Sequence, residues 1–160
     1  LTQGWSERLT AFTAAFDAEE LDASVLLMPL VGFLPADDPR MRSTIRAIEG
    51  RLSHDGLLRR WDGDPAGFLI CSFWLVSCLA LAGERERAGR LFERLAARTN
   101  DLGLFSEEID PYSGEALGNF PQALSHIGLI NAAGDLTDLD AGRHDVPPAP
   151  DRLIPAGQDS

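Results

Sequence analysis

The sequence predicts an all-α protein in which buried helices alternate with half-exposed ones, the arrangement of an α/α toroid or an α-solenoid. Ala66 to Ala82 is apolar throughout, and Glu84 to Thr99 directly after it is amphipathic, with Gly83 breaking the two apart. The same succession stands earlier in the chain, between Leu21 and Leu52. A further apolar stretch, Phe120 to Asn131, comes after a Gly-rich loop. Helical hairpins of this kind bury one member and leave the other half in water.

Taken in order, Trp5, Leu9, Phe12 and Phe16 are spaced like one helix face, while Thr10–Ala11–Phe12–Thr13 equally fits a short extended segment. Asp22 suits a helix start, because its short side chain can accept from the free N–H groups ahead of Val25–Leu26–Leu27–Met28. That apolar helix is expected to end near Val31–Gly32, with Pro35 and Pro39 punctuating the turn. From Pro39 to Leu52, Met41, Ile45, Ile48 and Leu52 share one side, which makes an amphipathic helix. In Glu84–Thr99 the inward set is Ala88, Leu91, Leu95 and Ala96. From Gly134 the chain turns rich in Asp, Pro and Gly, and Pro147–Pro148 with Pro150 exclude regular structure. Residues 1–134 are therefore expected to form the domain and 135–160 a partly disordered tail.

With 44% apolar residues, 160 residues suit one domain that can bury a core. The chain opens on Leu1 rather than Met, and is expected to be a piece of something longer. A formal charge of -11, from 25 acidic and 14 basic residues, would repel phosphate backbones and anionic lipid. Neither nucleic acid nor a membrane is an expected partner, whereas a neutral substrate such as a sugar is compatible. Ala66–Ala82 is short for a membrane span and carries Ser72 and Ser77, so it reads as a buried helix. Cys71 and Cys78 would sit roughly 10 Å apart along a helix, too far for a disulfide. Both read as small core residues in a reducing, cytoplasmic setting. His54, His126 and His144 are scattered and none pairs with a Cys at ligand spacing, so no metal is expected.

Two polar clusters could carry chemistry. Glu107 and Glu108 lie side by side in the Gly-rich loop before Phe120, where general acid or base work would want a carboxylate. As ordinary surface charges they would need no explanation. If the loop is extended they point to opposite sides, and Glu108 is then a solvated charge or a loop-holding acceptor. Arg60–Trp61–Asp62–Gly63–Asp64 combines a guanidinium, carboxylates and an aromatic face, a set that suits sugar hydroxyls and a pyranose ring. It equally suits a turn with a surface ion pair. Asp110 before Pro111 reads as turn chemistry. Gln122 and His126, on the helix after the loop, could reach a cavity, although a histidine there is more often a satisfied core residue.

The wording of this region resembles glycoside hydrolase family 15, the inverting glucoamylases, glucodextranases and bacterial trehalase-like enzymes. The matching residues run from Gly103–Leu104–Phe105–Ser106–Glu107–Glu108–Ile109–Asp110–Pro111 through Gly114–Glu115 and Leu117–Gly118–Asn119–Phe120–Pro121–Gln122–Ala123 to Ser125–His126. The resemblance also takes in Leu21–Asp22–Ala23–Ser24 to Pro39 and Gly67–Phe68–Leu69 to Trp74. It implies an (α/α)6 barrel, of which this chain has material for about half, and an extended rather than helical segment after Arg8. It also implies that Glu107 is the general base and that Arg60, with Asp64, binds the sugar in the innermost subsite. The loop at Asp64 is shorter and less Gly-rich than in many bacterial members. Trp61, Glu108 and Gln122 are further substrate-binding candidates, and Phe68 and Trp74 fit the pattern of the next inner helix.

In the family the general acid sits in a tryptophan–glutamate motif well upstream. Trp5–Ser6–Glu7–Arg8 has the wrong spacing and place for it, so Glu7 is rejected as the acid. The chain is thus expected to be the C-terminal portion of an inverting α-glycosidase, supplying base without acid. The substrate would be trehalose, a malto-oligosaccharide or a related glucan, without a cofactor, and the isolated chain would be nearly inert. The other expected partner is the N-terminal half of the barrel, and inner helices left bare without it would favour a homo-oligomer or poor solubility. The competing reading is a non-catalytic helical-pair scaffold, which needs nothing from Glu107. A scaffold has no reason to hold Glu107 and Arg60 at the same end of its helices.

Overall fold

The computed structural model describes residues 2–140, and within them the all-α class holds. The chain opens on a hairpin of β1 (Trp5–Ser6) and β2 (Ala11–Phe12), paired Trp5 with Phe12 and Ser6 with Ala11. The extended alternative is the one the protein adopts. Trp5 stacks edge-on against Phe12 at 5.2 Å, and the Phe12 N–H donates to Thr44 Oγ1 at 2.9 Å, which fixes the hairpin on the next helix.

The apolar run after Asp22 differs from the single helix expected. It forms a 3-10 turn, Ala23–Leu26, that passes into a single α turn, α1 (Leu27–Leu30). Pro29 has no N–H to give back to Val25, so α-type bonding cannot run continuously through this stretch. The Asp22 cap is present: its Oδ1 accepts from Ser24 N–H at 2.7 Å. Helix α2 (Pro39–Leu52) is as expected, with Met41, Ile45, Ile48 and Leu52 buried together with Thr44.

A tight hairpin joins α2 to the next unit, with β3 (Ser53–His54) paired to β4 (Leu57–Leu58). Asp55 and Gly56 at its turn both have positive φ, 49° and 80°, the backbone that matches strand twist in a two-residue turn. Ala66–Ala82 starts later as a helix than its composition suggests. Gly67–Phe68 form strand β5, and α3 spans Leu69–Leu81. Every residue of α3 is buried except Trp74 and Leu81. Its Ser72 is satisfied inside the core, accepting from Leu58 N–H at 2.8 Å and donating to Phe68 O at 3.1 Å.

Helix α4 (Arg85–Ala96) turns Ala88, Leu91 and Leu95 inward, with Ala96 only half-buried. The loop after it holds β6 (Glu108–Ile109) and β7 (Ala116–Leu117), which complete a three-stranded antiparallel sheet in the order β5, β6, β7. The last helix, α5 (Ala123–Asp140), is displaced from the expected Phe120–Asn131 at both ends. It begins beyond the cis Phe120–Pro121 peptide, and it continues through Gly134 into the stretch expected to be tail. A glycine inside a helix costs about 1 kcal/mol against alanine, which α5 bears while Ala132 and Leu136 pack on the core. Residues 141–160, the rest of the expected disordered tail, lie outside those described.

Helix α3 is the axis of the unit: α1, α4 and α5 all pack on it. Phe73 at its centre meets Phe105 edge-on at 5.7 Å and Phe92 at 6.4 Å. Among the described residues no helix is long and apolar enough to cross a membrane.

Candidate active site

The polar clusters meet at the N-terminal end of α3. Leu69, its first residue, donates its N–H to the Glu107 carbonyl at 3.1 Å, so Glu107 sits on the backbone that receives the helix start. Glu108 comes next as the first residue of β6, between Phe68 of β5 and Leu117 of β7. Two strands therefore grip one carboxylate-bearing segment from both sides, and neither glutamate is free on a mobile loop. Both are half-buried.

Glu107 faces the Gly118–Asn119 turn. Its N–H donates to Asn119 O at 2.9 Å, and its Oε2 accepts from the Asn119 N–H at 3.0 Å and from Asn119 Nδ2 at 2.9 Å. Glu108 has different surroundings. Burial first, then the negative charges of Asp64 and Glu107, push its carboxyl above the ordinary value. Neither carboxylate is fully exposed.

Arg60 and Asp22 are joined through backbone and side chain. Asp22 bridges Trp61, the Ala23 N–H donates to Arg60 O at 2.8 Å, and Arg60 Nε stands 3.5 Å from Asp22 Oδ1. The Arg60 guanidinium lies over the Trp61 ring at 5.5 Å, and Trp61 is half exposed. Asp64 accepts from Ala66 N–H at 3.3 Å, just ahead of β5. Asp62 turns away to Arg51 of α2, at 2.6 Å, and takes no part.

Cys71, on the first turn of α3, reports how these charges gather. Burial pushes its thiol up to about 12, while Arg60, Asp22, Asp64 and Glu108 all bear on it electrostatically. Glu107 and Glu108 stand on the segment that pairs with β5 at the start of α3, and Asp64 lies just ahead of β5. Cys78 is likewise buried, its thiol pushed up by desolvation and directed to Leu26 O at 3.2 Å. Both cysteines are free and are small core residues as expected.

The other candidates are structural in their contacts. The Gln122 N–H donates to Phe105 O at 2.9 Å, and its side-chain oxygen faces Leu124 N–H at 3.5 Å, at the start of α5. His126 is satisfied on both ring nitrogens: Nδ1 lies 2.8 Å from Gln122 O, and Nε2 accepts from Phe105 N–H at 3.4 Å. Asp110 does turn chemistry, accepting from Tyr112 and Ser113 N–H groups, which hold its carboxyl below the ordinary range. Trp74 is half-buried against the core. Among the described residues no group of three or more His, Cys, Asp and Glu could hold a metal ion.

Sequence reasoning passed over Asn119 and the pairing role of Asp22. The capping signal at Asp22 was correct but hid its second partner. Asn119 was legible only as one member of the Leu117–Gly118–Asn119–Phe120 wording. A half-buried carboxylate with one oxygen held can activate water, and an arginine with an aromatic face and a carboxylate can take the hydroxyls of a neutral polar ligand.

The model of a protein family described as glycosyl hydrolases family 15 matches residues 2–134. A trehalase of Mycobacterium tuberculosis is 51% identical over 130 residues, which are 76% of this chain and 19% of that protein. A trehalase of Thermoplasma acidophilum is 39% identical over 145 residues, 86% of this chain and 25% of its own length. The chain thus spans only about a fifth to a quarter of these relatives. Among solved structures, a wild-type glycosidase superposes with a TM-score of 0.74 at 22% identity, over 85% of this chain and 40% of that one. A glycosidase variant in complex with glucose superposes equally well. At that identity the likeness carries the fold alone: these helices are part of an α/α toroid.

Proposed function

The chain belongs to glycosyl hydrolases family 15, and from that premise we propose that it is the C-terminal portion of the catalytic domain of an inverting, trehalase-like α-glycosidase. The observation that supports the reading is that Glu107 and Glu108 stand on the segment that pairs with β5 and receives the start of α3, with Asp64 just ahead of β5. The scaffold alternative gives no role to that placement.

Inversion needs two carboxyl groups on opposite faces of the scissile bond, roughly 6.5–9.5 Å apart, with a water between one of them and the sugar. In this reading Glu107 is ionised and removes a proton from that water as its oxygen bonds to the anomeric carbon. The glycosidic bond breaks on the other face, and the leaving oxygen takes a proton from an acid carried by the part of the relatives that this chain does not span. Arg60 and Asp64 orient the non-reducing glucose, with Trp61 offering an apolar ring face and Glu108 a hydroxyl acceptor. Gln122 borders the same region at the start of α5. Trehalose is the favoured substrate because the relatives are trehalases, and no cofactor enters a reaction between carboxylates and water. The two unpaired core thiols support a reducing, cytoplasmic setting.

The test is split-protein complementation. The full chain is co-expressed with the Mycobacterium tuberculosis trehalase lacking the segment that this chain matches, and glucose release from trehalose is measured. The chain alone should give none and the pair should be active. Glu107→Gln should then lower turnover by about 10²–10⁴-fold, the range for a general base. An active pair indifferent to that substitution would sink the assignment.

A further inference from the structure

Two residues far apart in the loop, Glu107 and Asn119, share three hydrogen bonds. The Glu107 N–H reaches Asn119 O at 2.9 Å, while Asn119 N–H and Nδ2 reach the same carboxylate oxygen, Oε2, at 3.0 and 2.9 Å. We propose that Asn119 is a positioning residue for the Glu107 carboxylate, pinning Oε2 with two donors so that Oε1 is the oxygen left to take the proton of the attacking water. The inference rests on Glu107 being the base.

The residue before Asn119 shows how close the turn must come. Gly118 has φ +70°, and a Cβ there would lie 2.8 Å from Glu107 Oε2 and 2.9 Å from Glu107 Cβ. Only a residue without a side chain both accepts that backbone and leaves room for the carboxylate. The glutamate is held from the other side through its carbonyl, which accepts from Leu69 N–H of α3. Its backbone is thereby fixed to the rigid helix and its side chain to the turn.

The choice of asparagine suits the task. A primary amide donates without titrating, so it does not compete for the proton that moves. Hydrogen bonds to an ionised acceptor are the stronger kind, and two on one oxygen stop the carboxylate from exchanging its oxygens by rotation. Aspartate would set a second negative charge against the first. Asn119 itself is exposed, so the core does not depend on its side chain. Misplacing a reacting group by about 1 Å can cost about 10²-fold in rate, and that is the loss expected when the clamp is removed.

Asn119→Ala removes only the Nδ2 donor and leaves both main-chain bonds. In the full chain, the Asn119 side-chain amide protons should be dispersed and slow to exchange in NMR spectra. They should collapse to free-amide positions in Glu107→Ala. In the complemented pair, Asn119→Ala should lower kcat by about 10²-fold with KM within about twofold, Asn119→Asp more, and thermal unfolding of the chain should not move. A side-chain amide indifferent to Glu107→Ala, or full kcat in Asn119→Ala, overturns the proposal. If Glu107→Gln is harmless in the same pair, the base reading fails and the positioning role fails with it. If Glu107→Gln is inactive while Asn119→Ala keeps full activity, the positioning role alone is wrong.

Discussion

Helix α3 and the first half of α5, Ala123 to Ala133, read alike in sequence, each apolar and without Asp, Glu, Lys or Arg, yet the protein uses them differently. Helix α3 is buried on nearly every side. Helix α5 turns Ser125, Gly128 and Ala132 to the interior and leaves Leu124, Ile127 and Ile130 between about half and two-thirds exposed, beside exposed Phe120. Small residues at successive turns bring α5 close to α3, and Gly128 sits where a Cβ would be 3.1 Å from the Phe73 Cβ and ring. An apolar composition says that a helix has no face made for water. Which face is covered depends on the neighbours that the chain supplies. Helix α3 has α1, α4 and α5 around it, whereas the outer stripe of α5 keeps about half or more of its surface open among the described residues.

The contrast can be probed with two substitutions at the contact and one on the open stripe. Phe73→Ala should be the most damaging, because it empties a fully buried site against Phe92 and Phe105. A loss of about 3–5 kcal/mol in urea unfolding is expected. Gly128→Ala sets overpacking of about 1–3 kcal/mol against a helix-propensity gain of about 1 kcal/mol. A net destabilisation near 1 kcal/mol should result, and a gain in stability would mean that α5 can back away from Phe73. Ile127→Ser on the open stripe should leave stability within about 0.5 kcal/mol. It should also reduce concentration-dependent light scattering. A large loss of stability there would show that the stripe is covered after all.

The site shows the same division. Glu107 and Arg60 stand out because a carboxylate pair in a Gly-rich loop and an Arg–Trp–Asp cluster are unusual as wording. The docking of the Glu107–Glu108 segment at the start of α3 was not readable, because it depends on β5 and β6 pairing across about forty residues. Asp22 was legible as a cap through its spacing to the apolar run, but its contact with Arg60 arises from a bridge between distant backbones. The Asp55–Gly56 hairpin is present in the sequence as a two-residue turn signal between Leu52 and Arg60. The start of α3 was misplaced for a related reason. Gly67 and Phe68 are as apolar as the helix they precede, and only their partners on β6 make them a strand.

Periodicity and local chemistry were enough to determine the helical class, the alternation of buried with amphipathic helices, the caps and breaks, and the two polar clusters. These depend on neighbours a few residues away, which the sequence presents in order. The tertiary structure alone decided where α5 begins, which side of it is bare, how Arg60 finds Asp22, and that Gly118 brings Asn119 against one oxygen of Glu107. Those outcomes depend on the approach of segments far apart in the chain, and the packing of α3 sets that approach.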